Sequence, residues 1–236
     1  MFKRVREFFE SIVRVTPVMF KDEVLNGLNH VYDLKLYDFE NDWTPGTGAD
    51  TYVSGLNHQW FGNGSVVLGD GIELLTKYNP IEFNGETFEY EVGKIVSKFP
   101  MGCGYYSIDI VLPEGSRLNP RIVLSLDNGY EVTLFDGKTD NKGWYKSIES
   151  EFLRVKKHKI DGISLNVGFL LKDGKVQLYY NGILVRDIKT PDELVSLARL
   201  NECNLIISNE CLPEIEGNAV MDDTTMLVKE VTYYKE

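Results

Sequence analysis

Residues 88–135 read FEYEVGKIVSKFPMGCGYYSIDIVLPEGSRLNPRIVLSLDNGYEVTLF. Valine, isoleucine, tyrosine and phenylalanine crowd short runs, and Gly, Pro, Asn and Asp punctuate them. β-branched and aromatic side chains fit a pleated surface, and such punctuation marks turns. The stretch therefore predicts strands over 88–99, 104–113, 121–126 and 130–135.

The same texture extends outward on both sides. It predicts strands over 34–39, 65–69, 71–78, 162–172, 175–182, 183–188, 204–209 and 226–235. Gly69-Asp70-Gly71, Asp127-Asn128-Gly129, Lys172-Asp173-Gly174 and Asn181-Gly182 carry hairpin chemistry, because Gly and Asn accept positive φ. So many short strands predict an all-β fold of two stacked antiparallel sheets. Residues 44–64 read as the longest loop and 191–200 as a short helix. No repeat or low-complexity linker divides residues 31–236, which are expected to form one domain.

Residues 1–30 differ. Phe2, Val5, Phe8, Phe9, Ile12 and Val13 fall on one stripe at helical spacing, and Pro17 ends the run. So short an amphipathic helix is marginal alone in water. Three covers are open: its own sandwich, a groove on an assembly partner met through residues 1–17, or an anionic membrane. Phe2, Val5, Phe9 and Ile12 are the candidate docking residues.

The net charge is −11, from 25 basic and 36 acidic residues. That balance repels phosphate backbones and argues against a nucleic-acid partner. A neutral glycan stays open. No apolar run approaches the roughly 18 residues that a transmembrane helix needs. The basic start, MFKRVR, is followed by a segment broken by Glu7, Glu10 and Arg14, so no secretory signal is read. Synthesis in the cytoplasm is the expectation, with later incorporation into a virion or other assembly open. Cys103, Cys203 and Cys211 are an odd set without metal-ligand spacing, expected as reduced, partly buried thiols. His30, His58 and His158 are scattered, the last in a charged turn. No metal site and no cofactor are expected.

Several segments, in one order, resemble the laminarinase-like glycoside hydrolases of family 16, within the concanavalin A-like superfamily. YDFENDWTP (37–45) is similar to the family's opening segment, and SVVLGDGIELLT (65–76) to its early hairpin. Residues 92–125 resemble the segment ending "G.wPAfWl". KVQLYYNGILV (175–185) resembles its "fyvDG" hairpin, and TTMLVKEVTYYKE (224–236) its closing strand. The resemblance implies a concanavalin A-like jelly roll.

It also places a site. The family's catalytic strand carries E-x-D-x-x-E, and this chain reads Glu131-Val132-Thr133-Leu134-Phe135-Asp136. Glu131 matches the nucleophile. Thr133 replaces the assisting Asp and cannot carry charge. Asp136 replaces the acid/base Glu and is a methylene shorter. A retaining glycosidase needs its two carboxyls about 5–5.5 Å apart, and an ångström's misplacement can cost about 10²-fold. The tryptophans of "G.wPAfW" are absent from GSRLNPRIVLS (115–125). Lys229 stands where the family's closing strand offers an Asp to structural calcium, and a cation cannot ligate calcium.

Outside that strand, Trp60, Tyr130, Trp144 and Tyr145 are aromatic candidates for sugar contact, joined by Thr133. Sugar C–H faces pack on rings while hydroxyls need fixed polar partners. Two functions follow as expectations. The first is a non-catalytic carbohydrate-binding or structural module, for instance a phage decoration or attachment subunit docked through the N-terminal helix. The alternative is an active endo-β-glycan hydrolase using Glu131 and Asp136.

Overall fold

A computed structural model of the chain describes residues 27–33, 42–49, 59–98, 100–125, 131–139, 145–150, 153–158, 164–172, 175–188, 203–212 and 223–236. The expected N-terminal helix, the strand over 34–39 and the helix over 191–200 lie outside the described residues.

The first strands are β1 (Asn29–Asp33), β2 (Trp43–Pro45), β3 (Gly48–Ala49), β4 (Gln59–Phe61), β5 (Val66–Leu68), β6 (Ile72–Phe83), β7 (Glu86–Val92), β8 (Lys94–Ser97) and β9 (Gly104–Val111). They continue as β10 (Leu118–Ser125), β11 (Glu131–Thr139), β12 (Tyr145–Ser150), β13 (Leu153–His158), β14 (Ser164–Lys172), β15 (Lys175–Tyr180), β16 (Ile183–Ile188), β17 (Asn204–Cys211) and β18 (Thr224–Lys235). The larger sheet runs β16-β15-β14-β9-β18-β6-β7-β4-β3, with β1 added on β18 and β5 on β6. The smaller runs β13-β12-β11-β10-β17-β8-β2. Pairings are antiparallel except β4 with β7. The expected two-sheet, antiparallel-dominated sandwich is the observed one.

Alternation explains how the sheets stack. Ile122 and Leu124 of β10, Val132 and Leu134 of β11, and Leu205 and Ile207 of β17 share one dry core with Ile108, Ile110, Phe169, Met226 and Val228 from the larger sheet. Trp43 is buried there too. A satellite core of Phe61, Tyr90, Val92, Leu118 and Cys211 closes one end of the sandwich.

The single run expected over 88–99 is in fact two strands in different sheets. The chain crosses at Gly93. A Cβ there would stand 2.4 Å from the Ser65 carbonyl oxygen and 2.9 Å from the Leu74 Cα, so only glycine fits. The Gly93 N–H donates to the Leu75 carbonyl in the larger sheet, while its own carbonyl accepts from Asn209 N–H in the smaller one. Asn209 adds a second tie, its Nδ2 donating to the Leu74 carbonyl at 2.9 Å.

The long loop expected over 44–64 is also corrected. It holds the end of β2, then β3, β4 and a 3-10 turn at Asn63–Ser65. Phe61 burial and the parallel pairing with β7 organise it. Lys156, Lys157 and His158 belong to β13 rather than to a turn. Asn181 and Gly182 take φ of 50° and 76°, as the hairpin reading requires. Asn84 and Gly85 make a similar turn between β6 and β7, at 52° and 80°. Among the described residues no helix is long and apolar enough to cross a membrane.

Candidate functional site

The smaller sheet has one face in the core and one turned away from it. On β11, Glu131 and Thr133 alternate outward against buried Val132 and Leu134. Strict alternation would then put Phe135 outward and Asp136 in the core. A β-bulge prevents this: Val123 of β10 pairs with Thr133, but the next residue, Ile122, pairs with Phe135. The extra residue restores the phase, so Phe135 stays fully buried and Asp136 and Lys138 join Glu131 and Thr133 on the outer face. Bulges re-aim side chains in this way.

The neighbouring strands add to that face. Arg121 of β10 sits opposite Asp136 on one side and Ser208 of β17 on the other. Its Nη2 lies 3.2 Å from Glu131 Oε2 and its Nη1 lies 3.6 Å from Glu210 Oε1. The Ser208 hydroxyl donates to Glu210 Oε1 at 2.6 Å and fixes that carboxylate. Lys138 Nζ lies 3.2 Å from Asp136 Oδ2. The other Asp136 oxygen, Oδ1, is buried with no hydrogen-bond partner among the described residues.

Arg121 is the hub. Burial by itself would lower its pKa, but Glu210, then Glu131 and Asp136, outweigh burial and push it up. Three carboxylates against two cations leave the cluster with one net negative charge. Such a surface offers fixed acceptors and guanidinium donors to a hydroxylated ligand and little attraction to an anion.

The geometry bears on cleavage. Glu131 pairs with Ser125 and Asp136 with Arg121. Their Cα atoms are therefore separated by four steps of β10, roughly 13 Å of strand. The carboxyls of a retaining pair must lean together across that span. The shorter Asp136 has less reach, and both carboxylates are already engaged by cations, Glu131 by Arg121 and Asp136 by Lys138.

Of the other sequence-predicted residues, Thr133 shares the face with Glu131. Trp60 does not. It belongs to β4 of the larger sheet, its ring 5.0 Å from Phe83 and 5.4 Å from Phe88. Tyr130 and Trp144 lie outside the described residues, as do Phe2, Val5, Phe9 and Ile12. Tyr145 opens β12 beside β11, with its side chain outside the described part. Lys229 is on β18, its Nζ donating to the Ser164 hydroxyl at 3.3 Å. Cys203 and Cys211 are buried and Cys103 is exposed, and none of the three is in a disulfide.

Sequence reasoning missed Arg121, Lys138 and Glu210. A signal for Arg121 existed: in Leu118-Asn119-Pro120-Arg121-Ile122, the polar residues already alternate with core positions. Glu210 lay just past the predicted end of its strand.

No protein-family model matches the sequence, and no curated protein matches it by sequence. Solved structures do match in three dimensions. The laminarinase catalytic domain from Thermotoga maritima superposes with a TM-score of 0.70 at 13% identity, covering 89% of this chain and 98% of that one. The endo-β-1,3-glucanase from Pyrococcus furiosus gives 0.69 at 12% identity, over 88% and 94% of the two chains. The laminarinase from Flavobacterium gives 0.69 at 13%, over 88% and 100%. This chain has the concanavalin A-like jelly-roll fold of laminarinase catalytic domains.

Proposed function

We propose that the open face of the smaller sheet binds a neutral glycan and does not cleave it. The observation that carries this reading is the engagement of Glu131 by Arg121 and of Asp136 by Lys138, on a fold that the similar structures use for β-1,3-glucan hydrolysis. A retaining mechanism needs a free nucleophile and a proton-bearing acid at close range. Here both groups serve as counter-ions, and Thr133 supplies no charge between them. Hydroxyls of a bound sugar would donate to Glu131 and Glu210, and accept from Arg121.

One observation favours the hydrolase instead: the bulge that returns Asp136 to the face of Glu131. The two readings separate on incubation with soluble β-1,3-glucan and mixed-linkage β-glucan. Retention of the protein in a glucan-containing gel without release of reducing ends is the expected result. Release of reducing ends that Glu131→Gln abolishes would replace the binding module with an enzyme.

In the same proposal residues 31–236 form the glycan-binding domain and residues 1–30 an arm that docks it on a protein partner, with a virion subunit as the narrower case. Deleting residues 1–17 tests the arm, and an unchanged assembly state would remove it.

A further inference from the structure

The larger sheet carries a second apolar surface, on the side away from the sandwich core. Along β9, Tyr106, Ile108 and Ile110 point into the core, so Tyr105, Ser107 and Asp109 point outward. Tyr105, Leu170 and Tyr179 form a cluster of their own there. The register lines up Tyr234, Tyr105, Leu170 and Gln177 across β18, β9, β14 and β15. Gly168 is the floor: a Cβ there would stand 2.4 Å from the Tyr105 hydroxyl and 3.1 Å from the Tyr179 Cβ. The two rings meet edge-on at 6.1 Å.

This cluster is closed to solvent. Tyr105, Leu170 and Tyr179 are 6%, 3% and 2% exposed. A sheet face is buried only beneath a second layer. Among the described residues, Tyr234 and Leu28 pack against the cluster. Tyr234 belongs to the sheet. Leu28 belongs to the layer above it, and immediately precedes β1, whose Asn29 pairs with Lys235. Gly27, at φ 84°, turns the chain just before it. The chain therefore reaches β1 from over this face, which delivers the N-terminal arm to it.

Charge favours the same occupant. On this face Glu230 and Asp109 stand directly opposite each other. Asn166 Nδ2 donates to Asp109 at 2.7 Å and the Thr232 hydroxyl to Glu230 at 3.1 Å, but among the described residues neither carboxylate is in an ion pair. Like charges in that register are destabilising, and a cation supplied from above offsets them. The cations of the face lie at the two ends of β14: Lys172 pairs with Glu236 at 3.7 Å, and Lys229 donates to Ser164 at 3.3 Å. The arm brings Lys3, Arg4, Arg6 and Arg14 against Glu7 and Glu10. Lengths agree as well. As a helix, residues 2–15 would span about 21 Å, and the four interstrand steps from β18 to β16 span about 19 Å. Residues 16–27 can bridge up to about 40 Å.

We infer that the apolar stripe of residues 2–15 seats on the outer face of the larger sheet of its own chain, over Tyr105, Leu170 and Tyr179, with its cations toward Asp109 and Glu230. This rests on the arm described above and gives it a resting seat, from which a protein partner must draw it. The seat lies on the opposite side of the sandwich from the Arg121–Glu131 face, so a glycan and the arm do not compete.

Hydroxyl-radical footprinting of the full chain and of a chain lacking residues 1–17 tests it, with modification of Tyr105, Leu170 and Tyr179 read by peptide mass spectrometry. The expected result is protection in the full chain and about a tenfold rise in all three on deletion, while buried Phe135 stays protected in both. Asp109→Lys/Glu230→Lys in the full chain should raise the same signals roughly threefold by weakening the seat. Equal footprints with and without residues 1–17 would overturn the seat and assign the cover to another segment, such as residues 191–200. Protection that disappears on dilution to single chains, as judged by sedimentation, would make the occupant the arm of a second copy and overturn it too. If the shortened chain does not fold, a benzophenone side chain at Phe9 of the full chain decides: links to peptides holding Tyr105 or Tyr179 of the same chain support the seat, and links only elsewhere refute it. No partner or glycan enters these measurements. A failed seat leaves both readings above in place, and an assembly state unchanged by the deletion would remove the partner but not the seat.

Discussion

The two faces of β10, β11 and β17 differ in what holds them and in what each tolerates. On the inner face, Ile122, Leu124, Val132, Leu134, Phe135, Leu205 and Ile207 are buried in a dry core that depends on volume and shape. On the outer face, Arg121, Glu131, Asp136 and Glu210 are partly buried charges that depend on one another. The same backbone serves both, and the bulge at Leu134 keeps them in phase over the length of β11. An apolar face sets the fold through many interchangeable contacts. A charged face holds a few side chains, and the loss of one leaves its partner without a counter-ion.

The comparison breaks most severely from the inner side. Phe135→Ala, at a site with no exposure, is expected to cost about 3–5 kcal/mol in a urea unfolding titration. Glycan affinity per folded molecule should hardly change, since the substitution removes no outer-face group.

The outer face gives the next effect. Arg121→Ala leaves Glu131 and Glu210 without their shared cation in a partly buried setting, and is expected to cost about 2–3 kcal/mol. Unlike Phe135→Ala, it should also abolish retention in a glucan gel. A variant that unfolds no more readily than wild type and still binds would show that the hub is an ordinary surface pair.

Alkaline pH probes the core chemically. Burial pushes the Cys203 thiol up from 9.0 to about 12 and Tyr179 up from 10.0 to about 12, and burial also raises Tyr105, Tyr106 and Tyr180. Raised folded-state values mean that the native state holds these protons more tightly than the unfolded chain. Their stabilising contribution is complete below pH 9 and declines as pH rises towards 12. Each titrating group steepens the fall by about 1.4 kcal/mol per pH unit. Melting temperatures measured from pH 8 to pH 11 should drop, and Cys203→Ala should remove the part that begins near pH 9.

Lys138→Ala should have the smallest effect. Its side chain is about a third exposed, and such pairs contribute about 0–1 kcal/mol. Thermal melting should move little. A large loss would place Asp136 in a far less solvated site than the geometry gives.

Much of this inner–outer division was legible in the sequence. The runs of β-branched and aromatic residues over 104–113 and 121–126 and the Asn181-Gly182 turn were enough to expect a sandwich, because such side chains fit a pleated, half-buried surface. Glu131, Thr133 and Asp136 were legible as a group only through a resemblance. Their spacing breaks the period, and without a bulge Asp136 would face the core. Three-dimensional pairing hid the rest. Gly93 looked like one glycine in a long strand, because its meaning comes from Ser65 and Leu74, which are distant in sequence. Trp60 looked like a loop residue, because β4 pairs in parallel with a strand some thirty positions later in the chain. Arg121 and Glu210 are brought together by β10 and β17, far apart in sequence.

The most direct probe is the side-chain resonance of Arg121 in nitrogen–proton correlation spectra recorded as laminaritriose is added. A ligand seated among Glu131, Asp136 and Glu210 must shift the Arg121 Nε–H signal in proportion to occupancy, with the trisaccharide recovered intact. An Arg121 signal that stays in place while the sugar binds elsewhere, or a trisaccharide cut during the titration, would contradict the assignment of this face as a non-cleaving glycan site.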